Sequence, residues 1–70
     1  MIVYSKANCQ QCDTLVALLN KKEIKFEVVK IDEDEIARTF LLANGHRSVP
    51  QVYDNNLYIG GFRECMELYR

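Results

Sequence analysis

Apolar positions recur along the chain in two rhythms, one of period two and one of three to four. Ile2-Val3-Tyr4 is a short apolar, β-branched run and predicts a first strand, with polar Ser5 to Asn8 leading out of it. In "CDTLVALLNKK", Cys12, Leu15, Val16 and Leu19 follow the i, i+3, i+4, i+7 spacing of one helical face, and Lys21 and Lys22 suit the negative end of that helix. Phe26 to Ile31 is apolar with only partial alternation, which predicts an interior strand covered on both sides. "DEDEIARTFLLANG" opens on acidic residues, sets Ile36, Ala37, Phe40 and Leu41 on one face and stops at Asn44-Gly45, the pattern of a second helix. Val52-Tyr53 and Leu57-Tyr58-Ile59 flank Asp54-Asn55-Asn56 and predict a hairpin. After Gly60-Gly61, the spacing of Cys65, Met66 and Tyr69 predicts a last helix running from Phe62 to Arg70.

The predicted order is β-α-β-α-β-β-α. A helix between the first two strands makes them parallel and the hairpin adds an antiparallel edge, so an α/β fold with a four-stranded mixed sheet and three helices is expected. With 70 residues, 49% hydrophobic and 27% charged, one domain over residues 1–70 with a small core is expected. A net charge of -1 lacks the electrostatic attraction on which nucleic-acid binding rests, and the tyrosines are spread without a stacking stripe. No apolar run approaches the ~20 residues that cross a bilayer, and no signal-peptide core follows Met1. A cytoplasmic monomer with no nucleic-acid or membrane partner is expected.

That setting gives meaning to the cysteines. Cys9 and Cys12 form a Cys-x-x-Cys pair at a strand-to-helix junction, and Cys65 stands alone. A zinc site would need two further ligands, and His46 and Cys65 lack ligand-pair spacing, so no metal site is expected. A structural bridge across so short a loop would add little stability. A redox pair fits best. Cys9, near the helix start, meets unpaired N–H groups and the positive end of the helix dipole, which favour a thiolate, and Lys6 adds charge of the same sign. Cys12, one turn deeper, is placed to resolve the mixed disulfide that Cys9 forms. Gly60 and Gly61, ahead of a helix N-terminus, suit close approach of a carboxylate ligand. Arg47 is a candidate partner for a carboxylate, and Phe62 for a docking protein. His46 reads as a loop residue, Cys65 as a small buried hydrophobe and the acidic run Asp32 to Glu35 as a solvated helix start.

"VYSKANCQQC", "SVPQVY" and "IGGF" together resemble the glutaredoxins and glutaredoxin-like redoxins of the thioredoxin fold, over essentially the whole chain. The resemblance implies a dithiol–disulfide oxidoreductase with Cys9 and Cys12 as catalytic pair and no tightly bound cofactor. It also implies that Pro50 is the family's cis-proline and that Val49 pairs its backbone with substrate. Gln10-Gln11 stands where glutaredoxins typically carry Pro-Tyr, and Phe62-Arg63-Glu64 where they carry an Asp that holds the glutathione amino group; Glu64 replaces it imperfectly. "GHRSVP" and "GFRECM" are similar instead to NrdH-type redoxins, which draw electrons from thioredoxin reductase and pass them to ribonucleotide reductase. The implied substrate-binding set is Lys6, Gln11, Arg47, Val49, Pro50, Gly60, Gly61, Phe62 and Arg63. Two other readings stay open: a glutathione-dependent glutaredoxin, and a metal-binding or iron–sulfur carrier module.

Overall fold

Ile2–Ser5 (β1) has a strand on each side. In the computed structural model, which describes residues 1–70, it is followed by α1 (Gln10–Lys21), β2 (Glu27–Lys30), α2 (Glu35–Ala43), β3 (Gln51–Asp54), β4 (Leu57–Gly61) and α3 (Phe62–Tyr69). The strands lie in the order β2-β1-β3-β4. β1 runs parallel to β2, joined through α1, and antiparallel to β3, which pairs antiparallel with β4. The β3–β4 turn needs only Asn55 and Asn56, both at positive φ (50° and 68°), as a tight two-residue hairpin requires.

Alternation along β1 and β3 decides which helix packs where. Val3 and Val52 are cross-strand partners, and with Leu15 and Leu19 of α1 and Cys65 of α3 they form a core cluster with no exposure at all. Each such aliphatic side chain stabilises the fold by about 1.5–3 kcal/mol relative to an exposed position. On the other face Tyr4 and Tyr53 meet Leu41 of α2, Cys12 and Val49. The sheet is therefore the middle layer, with α1 and α3 on one side and α2 on the other.

The structure corrects two expectations and adds detail to a third, the solvated helix start at Asp32 to Glu35. β2 is an edge strand with three of its four residues exposed, because β3 takes the other side of β1. Ile36 is 84% exposed, since α2 starts at Glu35 and turns Ala37 and Leu41 inward. The acidic run is more than a solvated face: Asp34 caps α2 by accepting from the Ala37 N–H at 3.0 Å, and Asp32 lies outside the helix and accepts from the Ala7 N–H at 3.2 Å.

Buried protons give the fold an alkaline limit. Burial pushes the Cys65 thiol from 9.0 up to about 11, with the Glu64 carboxylate acting in the same direction. Burial first, and nearby negative groups second, also raise the hydroxyls of Tyr4, Tyr58 and Tyr69 above 10.0. Each group holds its proton more tightly folded than unfolded, so its contribution is complete below its unfolded pKa and is lost as pH rises through the folded one. The urea midpoint is expected to fall from pH 9 to pH 11, the window set by Cys65. A midpoint that held level or rose over that range would contradict the assignment.

Candidate active site

Chain geometry before α1 places the first cysteine. Asn8 takes a left-handed φ of 57°, tolerated by Asn better than by most residues, and Asp32 holds the Ala7 amide. Cys9 follows in extended conformation as the N-cap of α1, and its Sγ accepts from the Cys12 N–H at 3.2 Å. This is the position an Asp or Ser cap oxygen would occupy, with sulfur in its place. Cys9 and Cys12 are joined as a disulfide, their Cα atoms 5.3 Å apart. Cys9 is partly exposed and Cys12 wholly buried, so a partner can reach only the first sulfur from outside. After reduction the Cys12 amide and the helix start would face a Cys9 thiolate.

Across from the pair, the Val49 carbonyl oxygen lies 3.9 Å from Cys9 Sγ, and the Val49–Pro50 peptide bond is cis. Val49 precedes β3 and stays outside its ladder, so sheet pairing does not consume its peptide groups. It lines a cleft of about 170 Å3 whose other walls include Lys6, Arg38, Arg47 and His46 over Ile31, Leu41 and Leu42. The one ion pair in the molecule joins the Met1 amino group to Asp54, which leaves Lys6, Arg38 and Arg47 without a carboxylate partner. Gln11, Phe62 and Arg63 line a different groove with Met66, Glu67 and Arg70, between the first turns of α1 and the length of α3. Six of the sequence-derived residues thus fall into two groups, Lys6, Arg47 and Val49 in one and Gln11, Phe62 and Arg63 in the other, each reaching the Cys9–Cys12 turn through one member, Val49 or Gln11.

Gly60 and Gly61 form a third group. Gly60 has φ 154°, and a Cβ there would come within 2.5 Å of Glu64 Cβ, so the position excludes a side chain on both counts. Glu64 Oε1 accepts from the Gly61 N–H at 2.8 Å and so caps α3. Gln51 sits beside it, accepting from the Tyr58 hydroxyl at 2.7 Å and donating through Nε2 to the Ser48 carbonyl at 3.0 Å.

Arg38, Asp32 and Gln51 have structural places around the site that the sequence reading did not assign. Arg38 carried no signal beyond its charge, and Asp32 was hidden in an acidic run. Glu64 was legible in part, because an acidic residue three positions after a glycine is half of a capping box. Three of the four tyrosines, scattered in sequence, also converge: Tyr4, Tyr53 and Tyr58 pack with Phe40 and His46 at centroid distances of 4.7–5.9 Å, and His46 Nε2 lies 2.8 Å from the Tyr53 hydroxyl. No group of three or more His, Cys, Asp or Glu side chains converges as a metal site, and no helix is long and apolar enough to cross a membrane.

Comparison with known proteins adds to this geometry. The sequence pattern of the family described as Glutaredoxin matches residues 1–59. A Synechocystis protein described as a probable glutaredoxin is 36% identical over 69 residues, covering 96% of this chain and 75% of its own. Glutaredoxin 1 of Rickettsia conorii is 30% identical over 71 residues, covering 97% and 70%. Among solved structures, the glutaredoxin-like NrdH-redoxin of Escherichia coli, described as having a thioredoxin-like activity profile, superposes with a TM-score of 0.83 at 27% identity, over 99% of this chain and 93% of that one. A buckwheat glutaredoxin–glutathione complex superposes with a TM-score of 0.80 at 28% identity, over 94% and 64%.

Proposed function

The chain belongs to the glutaredoxin family of thiol-disulfide oxidoreductases, and we propose that within it residues 1–70 act as a protein-disulfide reductase of the NrdH-redoxin kind. The observation that carries the reading is the asymmetry of the cysteine pair, with Cys9 partly exposed at the N-cap and Cys12 buried behind it. In the reduced protein Cys9 thiolate attacks one sulfur of a substrate disulfide, forming a mixed disulfide and releasing the first substrate thiolate. Cys12, deprotonated, then attacks Cys9 Sγ and expels the second thiolate. Two electrons have passed to the substrate, two protons complete its thiols, and the Cys9–Cys12 disulfide remains.

Val49 is the proposed backbone clamp for an extended substrate, with Pro50 fixing the approach of that loop, in the manner of strand addition. The groove of Gln11, Phe62 and Arg63 suits a protein surface, because its apolar floor is bordered by charges of both signs. Ribonucleotide reductase is the proposed electron acceptor, thioredoxin reductase the proposed donor, and the cytoplasm the proposed location, with a monomer as the working form. Support for the donor comes from Gln10-Gln11 and Phe62-Arg63-Glu64, which replace glutathione-recognising residues, and from the likeness to an NrdH-redoxin.

A glutathione-dependent reading has one observation in its favour: Lys6, Arg38 and Arg47, unpaired around Val49, suit a carboxylate. The two are separated by reducing the disulfide with NADPH and thioredoxin reductase or with glutathione at matched potential. The reductase is expected to be faster by at least about tenfold, a difference of ~1.4 kcal/mol in barrier. Faster reduction by glutathione would replace the proposal with the second reading.

A further inference from the structure

Gln51 is one of two buried polar side chains in the molecule, and both ends of its amide are bonded. The Ser48 carbonyl can only accept, so the amide nitrogen faces it, at 3.0 Å. The amide oxygen is left toward Tyr58, whose hydroxyl donates at 2.7 Å and fixes the flip. Tyr58 lies opposite Tyr53 in the β3–β4 ladder and reaches diagonally to Gln51, two residues along the same face. The hairpin thus holds the loop before it: Tyr58 sets the Gln51 amide, and that amide holds Ser48. Backbone bonding does not do this work, since no backbone–backbone hydrogen bond of the turns and loops involves residues 47–50. The Ser48 carbonyl and the Val49 N–H belong to one planar trans peptide group, the cis bond being the next one along. With the carbonyl drawn onto Gln51, the Val49 N–H points the opposite way. The other peptide group of Val49 carries the carbonyl oxygen that lies 3.9 Å from Cys9 Sγ.

We propose that Gln51 is a positioning residue for peptide substrates: by holding the Ser48 carbonyl it aims the Val49 N–H at the extended backbone of an incoming chain, whose cysteine sulfur then meets Cys9. The proposal rests on the reading of Val49 as the backbone clamp. Gln51 touches no reacting atom, and a disulfide without a peptide backbone gains nothing from it.

The test uses the full chain, pre-reduced with dithiothreitol and freed of it, so no reductase enters. Two mixed disulfides of 5-thio-2-nitrobenzoate serve as probes, one with the cysteine of a capped, uncharged pentapeptide and one with 2-mercaptoethanol. With either, Cys9 thiolate bonds to the aliphatic sulfur and expels coloured thionitrobenzoate. Cys12 then attacks Cys9 Sγ and the aliphatic thiolate leaves, taking the Cys12 proton, so the Cys9–Cys12 disulfide remains. The leaving group is common to both, and the ratio of the two single-turnover rates measures what the peptide backbone adds. Gln51→Met keeps the length and loses both bonds, Gln51→Glu keeps an acceptor for Tyr58 but sets an oxygen against the Ser48 carbonyl, and Tyr58→Phe removes the orienting donor at a half-exposed position. The peptide-to-mercaptoethanol ratio is expected to fall about fivefold in Q51M and Q51E, the scale of one hydrogen bond, and about threefold in Y58F. Melting temperatures report what each change does to the fold, and if the Gln51 variants do not fold, Y58F decides by the same limits. A ratio within about twofold of wild type in Q51E and Y58F, or one common loss on both probes, would mean that Gln51 only supports the fold and would overturn the proposal. The clamp reading has its own control, the same peptide N-methylated at the cysteine and its two neighbours, on which the wild type is expected to be slower. Equal wild-type rates on the two peptides would overturn the clamp reading itself, whatever the variants do.

Discussion

Cys9→Ser will lose disulfide reductase activity by about a thousandfold or more, while Cys12→Ser will still attack and will accumulate as a mixed disulfide. The difference follows from burial. With Cys9 removed, the remaining sulfur of the pair has no exposure and no path to a partner disulfide. With Cys12 removed, Cys9 keeps its N-cap place and its partial exposure, but the second attack has no nucleophile. Mass spectrometry of each variant after mixing with an oxidised protein substrate reads both outcomes. In the reduced wild type, iodoacetamide is expected to label Cys9 first and Cys65 last, because Cys65 is buried, with its thiol held up at about 11. Retention of a tenth or more of the activity by Cys9→Ser, or first labelling at Cys12, would reverse the assigned roles.

Leu15→Ala will cost roughly 2–5 kcal/mol, because the side chain has no exposure and fills the space between α1, Val3 and Val52. A chain of 70 residues has a total stability on the order of 4–10 kcal/mol, so this one change removes a large share of it. The melting temperature is expected to drop by roughly 10–30 °C at the usual sensitivity of small domains. Ile36→Ala supplies the contrast. At 84% exposure it buries almost nothing, and it is expected to shift stability by no more than about 0.5 kcal/mol. Calorimetry of the two variants checks the layer assignment directly: equal losses would mean that α2 packs on the face the sequence first suggested.

That contrast marks how far sequence reading reached. For α1 the spacing of Cys12, Leu15 and Leu19 identified the buried face, because three contacts per two turns are a local property of the helix. For α2 the same logic misplaced Ile36, because the apolar stripe was wider than the part of the sheet the helix covers. β2 was read as interior from Phe26, Val28, Val29 and Ile31, but β propensity records how well a strand forms and not how many neighbours it has. The hairpin enters on the far side of β1 and leaves β2 at the edge.

By itself, then, the sequence determined the order of strands and helices, the hairpin turn and the cysteine pair at a helix start, all of which depend on residues within a few positions of one another. Only the tertiary structure decided what surrounds that pair. It brought Val49 to Cys9 across 40 positions, gathered Lys6, Arg38 and Arg47 from three segments into one cleft and packed Tyr53 and Tyr58 against His46. It also closed Glu64 onto Gly61, turning a glycine pair that reads as an open ligand site into a capped one. The physical reason is the same throughout: periodicity and capping chemistry are encoded along the chain, whereas neighbours in space depend on which apolar faces bury together, and that is settled only when the whole core packs.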